Sequence, residues 1–267
     1  MHKLYQSSRP LVMGILNVTP DSFSDGGQFN HLGAAVKQAE RMIKEGVDII
    51  DIGGESTRPG AKPVSETEEL ARVIPLIEAI APLGTPISID TSKAEVMKAA
   101  VEAGAQMIND VCALQQEGAI ETAAELQVPV CLMHMQGKPR SMQASPSYEN
   151  VVLEVMAFLA QRVQLCEQSG ISRDLISVDP GFGFGKSLEH NIELLRGLEH
   201  FNQLQLPVLV GISRKSMLGQ ITGREINQRL PASIAAALIA VGKKASIIRV
   251  HDVAETVDAL KIFNAIN

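Results

Sequence analysis

The chain has 267 residues, of which 45% are hydrophobic and 20% are charged. This length and composition suffice for one large globular domain with a substantial core, and α/β barrels commonly have such a length. The net charge of -6 argues against a nucleic-acid-binding protein, which normally presents a basic face.

Cysteine usage and hydropathy indicate the compartment. Cys112, Cys131 and Cys166 are odd in number and form no CxxC pair, which favours a reducing cytosol over a disulfide framework. The first ten residues, MHKLYQSSRP, lack the apolar segment of a signal peptide. The longest all-apolar stretch, residues 234–241, is too short to span a bilayer. We therefore expect a cytoplasmic protein with neither a membrane nor a nucleic acid as partner.

The predicted elements follow one repeating order along the chain. Short apolar runs bounded by glycine, proline or polar residues alternate with helical periodicity, eight times in succession. The predicted strands are 12–17, 47–52, 86–90, 106–110, 128–133, 175–179, 207–212 and 246–250. Helices are expected over about 31–45, from about 66, and after each later strand.

Several helix ends carry local signals. Two motifs match the capping box, in which a serine and a glutamate cap the helix reciprocally: Ser65 with Glu68, and Ser92 with Glu95. Three glycines follow helical stretches at positions suited to a left-handed cap: Gly46, Gly104 and Gly170.

The strands are almost continuously apolar, as expected of a parallel sheet buried on both faces. Eight β-then-α units that close on themselves form a TIM barrel. We therefore predict a single α/β domain over residues 1–267, a (β/α)8 barrel whose short N-terminal extension, residues 1–10, covers the bottom. An open doubly wound sheet is the alternative, but no predicted strand leads into a G-x-G-x-x-G turn.

Chemically capable residues stand at the carboxyl ends of these strands, where TIM-barrel active sites lie. They are Asn17, Asp51, Asp90, Asn109, His134, Asp179, Ser213, Arg214, Lys215, Arg249 and His251. Asp90, Asn109 and Asp179 are expected to converge at the barrel mouth, where two carboxylates and an amide suit a planar heterocycle rich in N–H and C=O groups. Each also has a structural interpretation: Asp90 precedes a helix start, and Asn109 is compatible with an Asx turn.

A cationic pair marks the last strand. Arg249 and His251 lie two residues apart and therefore on the same side of the strand, just before a helix that begins near Asp252. An arginine, a histidine and a helix N-terminus together suit a phosphate group. The alternative is a solvated arginine beside a capping histidine.

Three loops are predicted to form walls of the site. Residues 17–28 and 53–63 are polar and long for connections in a barrel, and such loops close over reactive intermediates. In the third, residues 179–186, alternate glycines permit close backbone approach, and Phe182 and Phe184 offer an aromatic wall.

Lys215 admits two roles, a Schiff-base nucleophile or a permanent cation. Arg214 beside it, with Arg249 nearby, favours anion binding but would also depress the pKa of the lysine. The spacing of candidate ligands does not resemble a zinc site, whereas Mg²⁺ held by one asparagine oxygen, diphosphate and water is compatible.

The motifs that carry these residues resemble those of the bacterial dihydropteroate synthases, over about residues 12–262. The matching segments are MGILNVTPDSFSDGG (13–27), DIGGESTRPG (51–60), IND (108–110), LMHM (132–135), DPGFGFGK (179–186), GISRKS (211–216) and RVH (249–251). The resemblance implies a transferase that joins para-aminobenzoate to 6-hydroxymethyl-7,8-dihydropterin diphosphate, releasing 7,8-dihydropteroate and diphosphate. It also implies a homodimer, Mg²⁺ as cofactor, and sulfonamides as competitors of para-aminobenzoate.

The resemblance also implies residue roles. The pterin ring would be held by Asp90, Asn109, Asp179 and Lys215, with Met133 and Gly211 also in the substrate pocket. The diphosphate would be held by Asn17, Thr57, Arg249 and His251, and Mg²⁺ by Asn17. The aminobenzoate pocket would be lined by Thr57, Arg58, Pro59, Phe184 and Ser213, with Phe23 closing over it. The residues expected to carry catalysis are Asn17, Asp90, Lys215, Arg249 and His251.

Departure of diphosphate would leave a cationic methylene on the pterin, so the reaction needs no protein nucleophile. Three alternatives are kept: a pterin-binding methyltransferase on the same barrel, a Schiff-base aldolase acting through Lys215, and a protein that binds pterin without catalysis.

Overall fold

The computed structural model describes residues 2–18, 28–56, 63–137, 142 and 145–266. Its strands are β1 (Leu11–Asn17), β2 (Ile49–Gly53), β3 (Ile87–Asp90), β4 (Met107–Asp110), β5 (Val130–Met133), β6 (Ile176–Asp179), β7 (Leu209–Val210) and β8 (Ile247–Val250). Its α-helices are α1 (Gln28–Lys44), α2 (Glu66–Ile80), α3 (Ala94–Glu102), α4 (Ala119–Leu126), α5 (Val151–Gln168), α6 (Leu188–Arg196), α7 (Ser216–Thr222), α8 (Leu230–Gly242) and α9 (Val253–Ile266).

The strands form a parallel barrel, which confirms the predicted TIM-barrel fold. Hydrogen-bonded neighbours run in the order β6-β5-β4-β3-β2-β1-β8-β7. A single parallel bridge between Val178 and Val208 joins β6 to β7 and closes the cylinder. The predicted seventh strand, 207–212, is the one that differs most, since β7 spans only Leu209–Val210. Pro207 has no N–H to donate and contributes only its carbonyl, which accepts from the Val178 N–H across 3.0 Å.

The alternation of each strand divides the core into two layers. The larger layer lies between sheet and helices and contains Val12, Ile50 and Ile52 among many others. The smaller layer fills the lower bore and comprises Tyr5, Leu11, Met13, Ile49, Met107, Cys131, Leu209 and Ile247. Because side chains on one face recur every second residue, the next inward residues toward the carboxyl ends are polar ones such as Asp51, Asn109 and Arg249.

The N-terminal extension closes the bottom of the bore, as predicted. Residues Lys3–Tyr5 form a 3-10 helix whose Tyr5 is buried in the lower layer. The Tyr5 hydroxyl donates to Ser177 Oγ on β6 across 3.2 Å. The extension therefore contributes an aromatic plug at the end of the barrel opposite the candidate site.

One capping prediction is right only in part and the other is wrong. Ser65 caps α2 by accepting from the Glu68 N–H, but the reciprocal half of the predicted box does not form, because the Glu68 carboxylate pairs with Arg72. Ser92 caps nothing: α3 begins at Ala94, and the Ser92 hydroxyl instead donates to Asp110 at the end of β4. A buried carboxylate on the neighbouring strand offers a stronger partner than the helix end.

Other helix ends agree with the sequence or add to it. The three C-terminal glycines were predicted correctly and have positive φ: +91° at Gly46, +120° at Gly104 and +94° at Gly170. A reciprocal capping box that the sequence did not suggest joins Ser187 and His190 at α6. No helix within the described ranges combines the length and apolarity that crossing a bilayer requires.

Candidate active site

Four inward-facing residues meet at the centre of the barrel mouth. Arg249 on β8 donates from Nε to Asp51 Oδ2 across 2.6 Å and from Nη2 to Asp90 Oδ2 across 2.7 Å. Asn109 on β4 donates from Nδ2 to the same Asp51 oxygen across 3.2 Å. The expected convergence of Asp90 and Asn109 is therefore present, and Asp51 and Arg249 lie at its centre.

Burial dominates the electrostatics of this cluster. It raises the pKa of Asp90 to about 7, with Arg249 acting in the opposite direction and Asp51 in the same one. Burial by itself would lower the pKa of the Arg249 guanidinium, but Asp51 and Asp90 together raise it above its ordinary value. Asp51 is fully buried, and among the described residues its Oδ1 has no hydrogen-bond partner. The cluster thus holds two carboxylates against one permanent cation.

Asp179 and Lys215 form a second charged group. Asp179 ends β6, where its Oδ1 accepts from the Gly181 N–H across 2.7 Å. Burial raises its pKa, with Lys215 as the largest opposing influence. Burial also lowers the pKa of Lys215 to about 8, against the attraction of Asp179. Each group therefore favours the charged form of the other in a site that disfavours lone charges.

The Lys215 ammonium is oriented by the loop that follows β6. Its Nζ donates to the Phe182 carbonyl and lies 4.3 Å from the centroid of the Phe184 ring. Both contacts are those of a cation, since a carbonyl accepts its proton and an aromatic face attracts its charge. The aromatic wall predicted for this loop is therefore present at Phe184.

The same loop depends on glycine backbone. Gly181, Gly183 and Gly185 all have positive φ. A Cβ at Gly181 would lie 1.9 Å from the His134 carbonyl oxygen. A Cβ at Gly185 would lie 2.3 Å from the Gln136 carbonyl oxygen. The loop is packed directly against the segment that follows β5, and only glycine fits there.

His134 follows β5, and its ring packs against Phe158 and Lys186 rather than against Arg249 and Asp51. Its ring lies edge to face with Phe158, at 4.9 Å between centroids, and its Nδ1 lies 3.0 Å from Lys186 Nζ. Burial and then the neighbouring Lys186 lower the pKa of His134 to about 3. Burial likewise lowers the pKa of Lys186 to about 7. Lys186 is thus a buried titratable group to which the sequence motifs gave no role of its own.

Ser213 and His251 are paired at the rim. Ser213 Oγ lies 3.0 Å from His251 Nδ1 and also accepts from the His251 backbone N–H across 3.2 Å. Helix α9 begins two residues beyond His251, at Val253. The histidine therefore stands where the helix N-terminus favours an anion, as predicted.

Arg214 does not join the other cations. Its backbone has φ +58°, and its guanidinium pairs with Asp252, with Nε 3.0 Å from Oδ2. The expectation that Arg214 depresses the pKa of Lys215 is wrong, because Asp252 balances the charge of Arg214. The cation that lowers the pKa of Lys215 is Arg249.

The remaining predicted residues lie as follows. Asn17 ends β1, and Met133 pairs in register with Asp179. A Cβ at Gly211 would lie 3.7 Å from Arg249 Cβ, an ordinary contact. Phe23, Thr57, Arg58 and Pro59 lie outside the described residues.

The fold and the site define a TIM-barrel enzyme with a cluster of charged, largely buried side chains at the carboxyl ends of its strands. The pterin binding enzyme family matches residues 13–251. Dihydropteroate synthase of Haemophilus influenzae is 54% identical over 265 residues, covering 99% of this chain and 96% of that protein. The chain belongs to the dihydropteroate synthase family of pterin-binding enzymes.

Solved structures agree with this assignment. The Yersinia pestis dihydropteroate synthase with a sulfonamide drug complex is 52% identical at a TM-score of 0.93, covering 97% of this chain and 94% of that chain. The Xanthomonas albilineans enzyme with 4-aminobenzoic acid is 52% identical at a TM-score of 0.92, covering 97% and 93%. The same enzyme with 7,8-dihydropteroate gives 50% identity and a TM-score of 0.89, covering 97% and 94%.

Proposed function

We propose that this protein condenses para-aminobenzoate with 6-hydroxymethyl-7,8-dihydropterin diphosphate, giving 7,8-dihydropteroate and diphosphate. The observation that carries the proposal is the joint presence of two buried groups, Arg249 with Asp51 and Asp90, and Lys215 with Asp179. Membership of the family and the ligands of its solved relatives support the same reaction.

The two groups supply complementary recognition for a pterin ring. Carboxylates at Asp90 and Asp179 accept from N–H groups, while the Asn109 amide and the Lys215 ammonium donate to ring nitrogens and the carbonyl oxygen. Because these side chains are mostly buried, hydrogen bonds to them are stronger than they would be in water. A planar heterocycle held edge-on would thus be fixed in one orientation.

The rim supplies the groups for diphosphate. His251 and the start of α9 favour an anion, and Arg249 adds a permanent charge from the last strand, two residues before His251. A leaving diphosphate gains negative charge, so these preorganised positive groups lower the barrier to its departure. The charges of Asp90 and Asp179 would stabilise the cationic methylene left on the pterin. The amine nitrogen of para-aminobenzoate then forms a bond to that carbon and loses one proton to water.

Asn17 offers an amide oxygen of the kind that Mg²⁺ binds. A Cβ at Gly53 would lie 3.3 Å from Asn17 Oδ1, a tight contact, so the glycine keeps this oxygen from being crowded. Mg²⁺ prefers such oxygens and usually keeps waters and substrate phosphates as its other ligands. When bound, the ion neutralises charge on diphosphate. We propose Asn17 as its protein ligand.

The ligand assignment has its own test. Isothermal titration of the protein with inorganic diphosphate is expected to show tighter binding when Mg²⁺ is present. Asn17→Ala should abolish that gain, in addition to any loss of diphosphate binding that it shows in the absence of Mg²⁺. An equal gain in both proteins would reject Asn17 as the ligand.

The reaction is tested with purified protein, both substrates and Mg²⁺. Release of diphosphate that depends on para-aminobenzoate is expected, with formation of dihydropteroate in equal amount. Absence of that dependence would overturn the proposal. The aldolase alternative predicts that borohydride traps an adduct at Lys215, whereas here none is expected because Lys215 acts as a hydrogen-bonding cation.

We also propose a homodimer located in the cytoplasm. Three large apolar side chains are about half exposed on α7, α8 and the turn between them: Ile221 (56%), Ile226 (50%) and Ile239 (49%). Helices α7 and α8 are neighbours, and exposed apolar side chains on neighbouring elements are common at subunit interfaces. Light scattering after size exclusion is expected to give twice the chain mass, and Ile239→Lys should lower it to that of one chain.

The three unpaired cysteines suit a reducing compartment, which cell fractionation tests.

A further inference from the structure

We propose that Lys186 is a positioning residue of the pterin site, which orients Lys215 by fixing the loop after β6 that the Lys215 ammonium contacts. The inference rests on the proposed function and concerns how its pocket is built.

Lys186 is buried inside the loop that follows β6, with only 2% of its surface exposed. Its Nζ lies 2.8 Å from the Gly181 carbonyl oxygen, 3.1 Å from the Phe184 carbonyl oxygen and 3.0 Å from His134 Nδ1. An ammonium has three N–H donors, so these three acceptors satisfy it fully. The Lys186 side chain therefore fills the middle of the loop, and none of its N–H groups remains to bind a substrate.

The loop would not hold this shape without a central donor. Positive φ at Gly181, Gly183 and Gly185 allows the sharp turns that bring the Gly181 and Phe184 carbonyls to one point. Two inward carbonyls and a histidine nitrogen repel one another when no N–H donor lies between them. Removing the ammonium would therefore leave buried acceptors unsatisfied, and the loop would rearrange to recover partners.

The rearrangement would reach Lys215 directly. The two groups that hold its ammonium, the Phe182 carbonyl and the Phe184 ring, are both in the turn closed by Lys186. A Cβ at Gly183 would lie 3.2 Å from Lys215 Cδ, so the stem of Lys215 also rests on this turn. Lys215 thus takes its position from the loop, and the loop takes its shape from Lys186.

Asn191 on α6 supports the other side of the same loop. Its Oδ1 accepts from the Gly183 N–H across 2.7 Å, and its Nδ2 donates to the Ser187 carbonyl across 2.6 Å. These bonds anchor the loop to the helix but leave the carbonyls of Gly181 and Phe184 to Lys186. Anchoring alone therefore does not replace the central ammonium.

The test is a double-mutant cycle read by ligand binding. The chain contains no tryptophan, so the fluorescence of 6-hydroxymethylpterin reports its own binding without overlap from indole emission. Lys186→Met keeps the length of the stem and removes the charge. We expect it to weaken binding about tenfold, whereas the exposed Lys98→Met should stay within about twofold of the parent.

The cycle separates positioning from general damage. Lys215→Met weakens binding by itself, and the variant carrying both substitutions should bind within about twofold of Lys215→Met alone. This is because Lys186 acts through Lys215 and has nothing further to contribute once Lys215 is gone. Additive losses, or a Lys186→Met protein that binds as tightly as the parent, would overturn the inference.

A second variant covers the case in which Lys186→Met does not fold. Lys186→Gln retains two N–H donors, and we expect it to weaken binding by about threefold, again without effect on top of Lys215→Met. Parent affinity in that variant would overturn the inference. If the parent protein releases diphosphate and the Lys186 variants bind 6-hydroxymethylpterin as tightly as the parent, only the inference about Lys186 is wrong. If the parent protein neither binds the pterin nor releases diphosphate, the proposed function is wrong as well.

Discussion

In the bore of the barrel, the Arg249 Nε lies 2.6 Å from Asp51 Oδ2, although the two residues are 198 positions apart in the chain. The Asp51 side chain is fully buried and also accepts from Asn109. One carboxylate therefore orients both a cation and an amide of the proposed pterin site.

Asp51→Asn should damage both folding and activity. The substitution leaves Arg249 with Asp90 as its one ionic partner, so we expect a loss of about 2 kcal/mol in the free energy of unfolding, below the cost of a fully broken buried pair. The value of kcat/KM for the pterin substrate should fall by at least about tenfold, since Arg249 and Asn109 lose their orientation. Urea unfolding and diphosphate release measure the two effects.

A surface carboxylate provides the matched control. Asp258 is 77% exposed and pairs with Lys261 on α9. Asp258→Asn should change the free energy of unfolding by less than about 0.5 kcal/mol and leave kcat/KM unaltered. An Asp51→Asn protein as stable and active as this control would contradict the role assigned to Asp51.

The pH dependence of kcat/KM should be a narrow bell. Binding of the pterin requires ionised Asp90, whose pKa is raised to about 7, and protonated Lys215, whose pKa is lowered to about 8. Activity therefore rises as Asp90 loses its proton and falls as Lys215 loses its own, and kcat/KM reports these groups in the free enzyme. Lys215→Arg should move only the alkaline limb to higher pH, because a guanidinium does not titrate there. A profile without an alkaline limb in the parent would contradict this assignment.

Gly181→Ala should be far more harmful than another glycine substitution at positive φ. Its Cβ would lie 1.9 Å from the His134 carbonyl oxygen, so backbone must move in addition to the cost of the left-handed conformation. We expect a loss of more than about 3 kcal/mol in the free energy of unfolding. Gly84 has φ +81° and nothing within 4 Å of the position that an added Cβ would take, so Gly84→Ala should cost only about 1 kcal/mol. Equal losses in urea unfolding would show that the contact with His134 costs nothing.

Substitutions of Tyr5 should affect stability without affecting catalysis. Ser177 Oγ also donates to the Val130 carbonyl, so Tyr5→Phe removes one hydrogen bond and should cost about 1 kcal/mol. Tyr5→Ala also empties the bottom of the bore and should cost about 3–4 kcal/mol. Thermal unfolding measures both, and kcat should be unchanged in whatever fraction is folded. A lower kcat in Tyr5→Phe would show that Tyr5, at the bottom of the barrel, affects catalysis at the other end.

The elements that the sequence predicted best are those set by local pattern. Apolar runs located all eight strands, and the carboxyl ends of those strands indicated Asp90, Asn109 and Arg249 as residues of the barrel mouth. The positive φ of Gly46 was predictable for the same reason, since a helix end is a local event.

The partners of these residues were not predictable, because they depend on which strands face each other across the bore. Nothing near Arg249 in the chain indicates Asp51, and nothing near Arg214 distinguishes its neighbour Asp252 from other carboxylates. Ser92 donates a hydrogen bond to Asp110 at the end of β4 instead of capping the helix that its local motif predicts. Lys186 carries a weak signal, namely its position after three alternate glycines, but the direction of the loop carbonyls is visible only in three dimensions.

The closure of the barrel is uneven, and the contacts of Lys215 lie over its thinnest part. Strands β1 and β2 pair over five residues, whereas β6 and β7 share one bridge. Lys215 follows β7 and Phe182 follows β6, so their hydrogen bond crosses this seam from one loop to the other. Where the backbone ladder is shortest, a side chain completes the ring. Lys215, which is proposed to bind the substrate, therefore also links the two strands that share the fewest backbone hydrogen bonds.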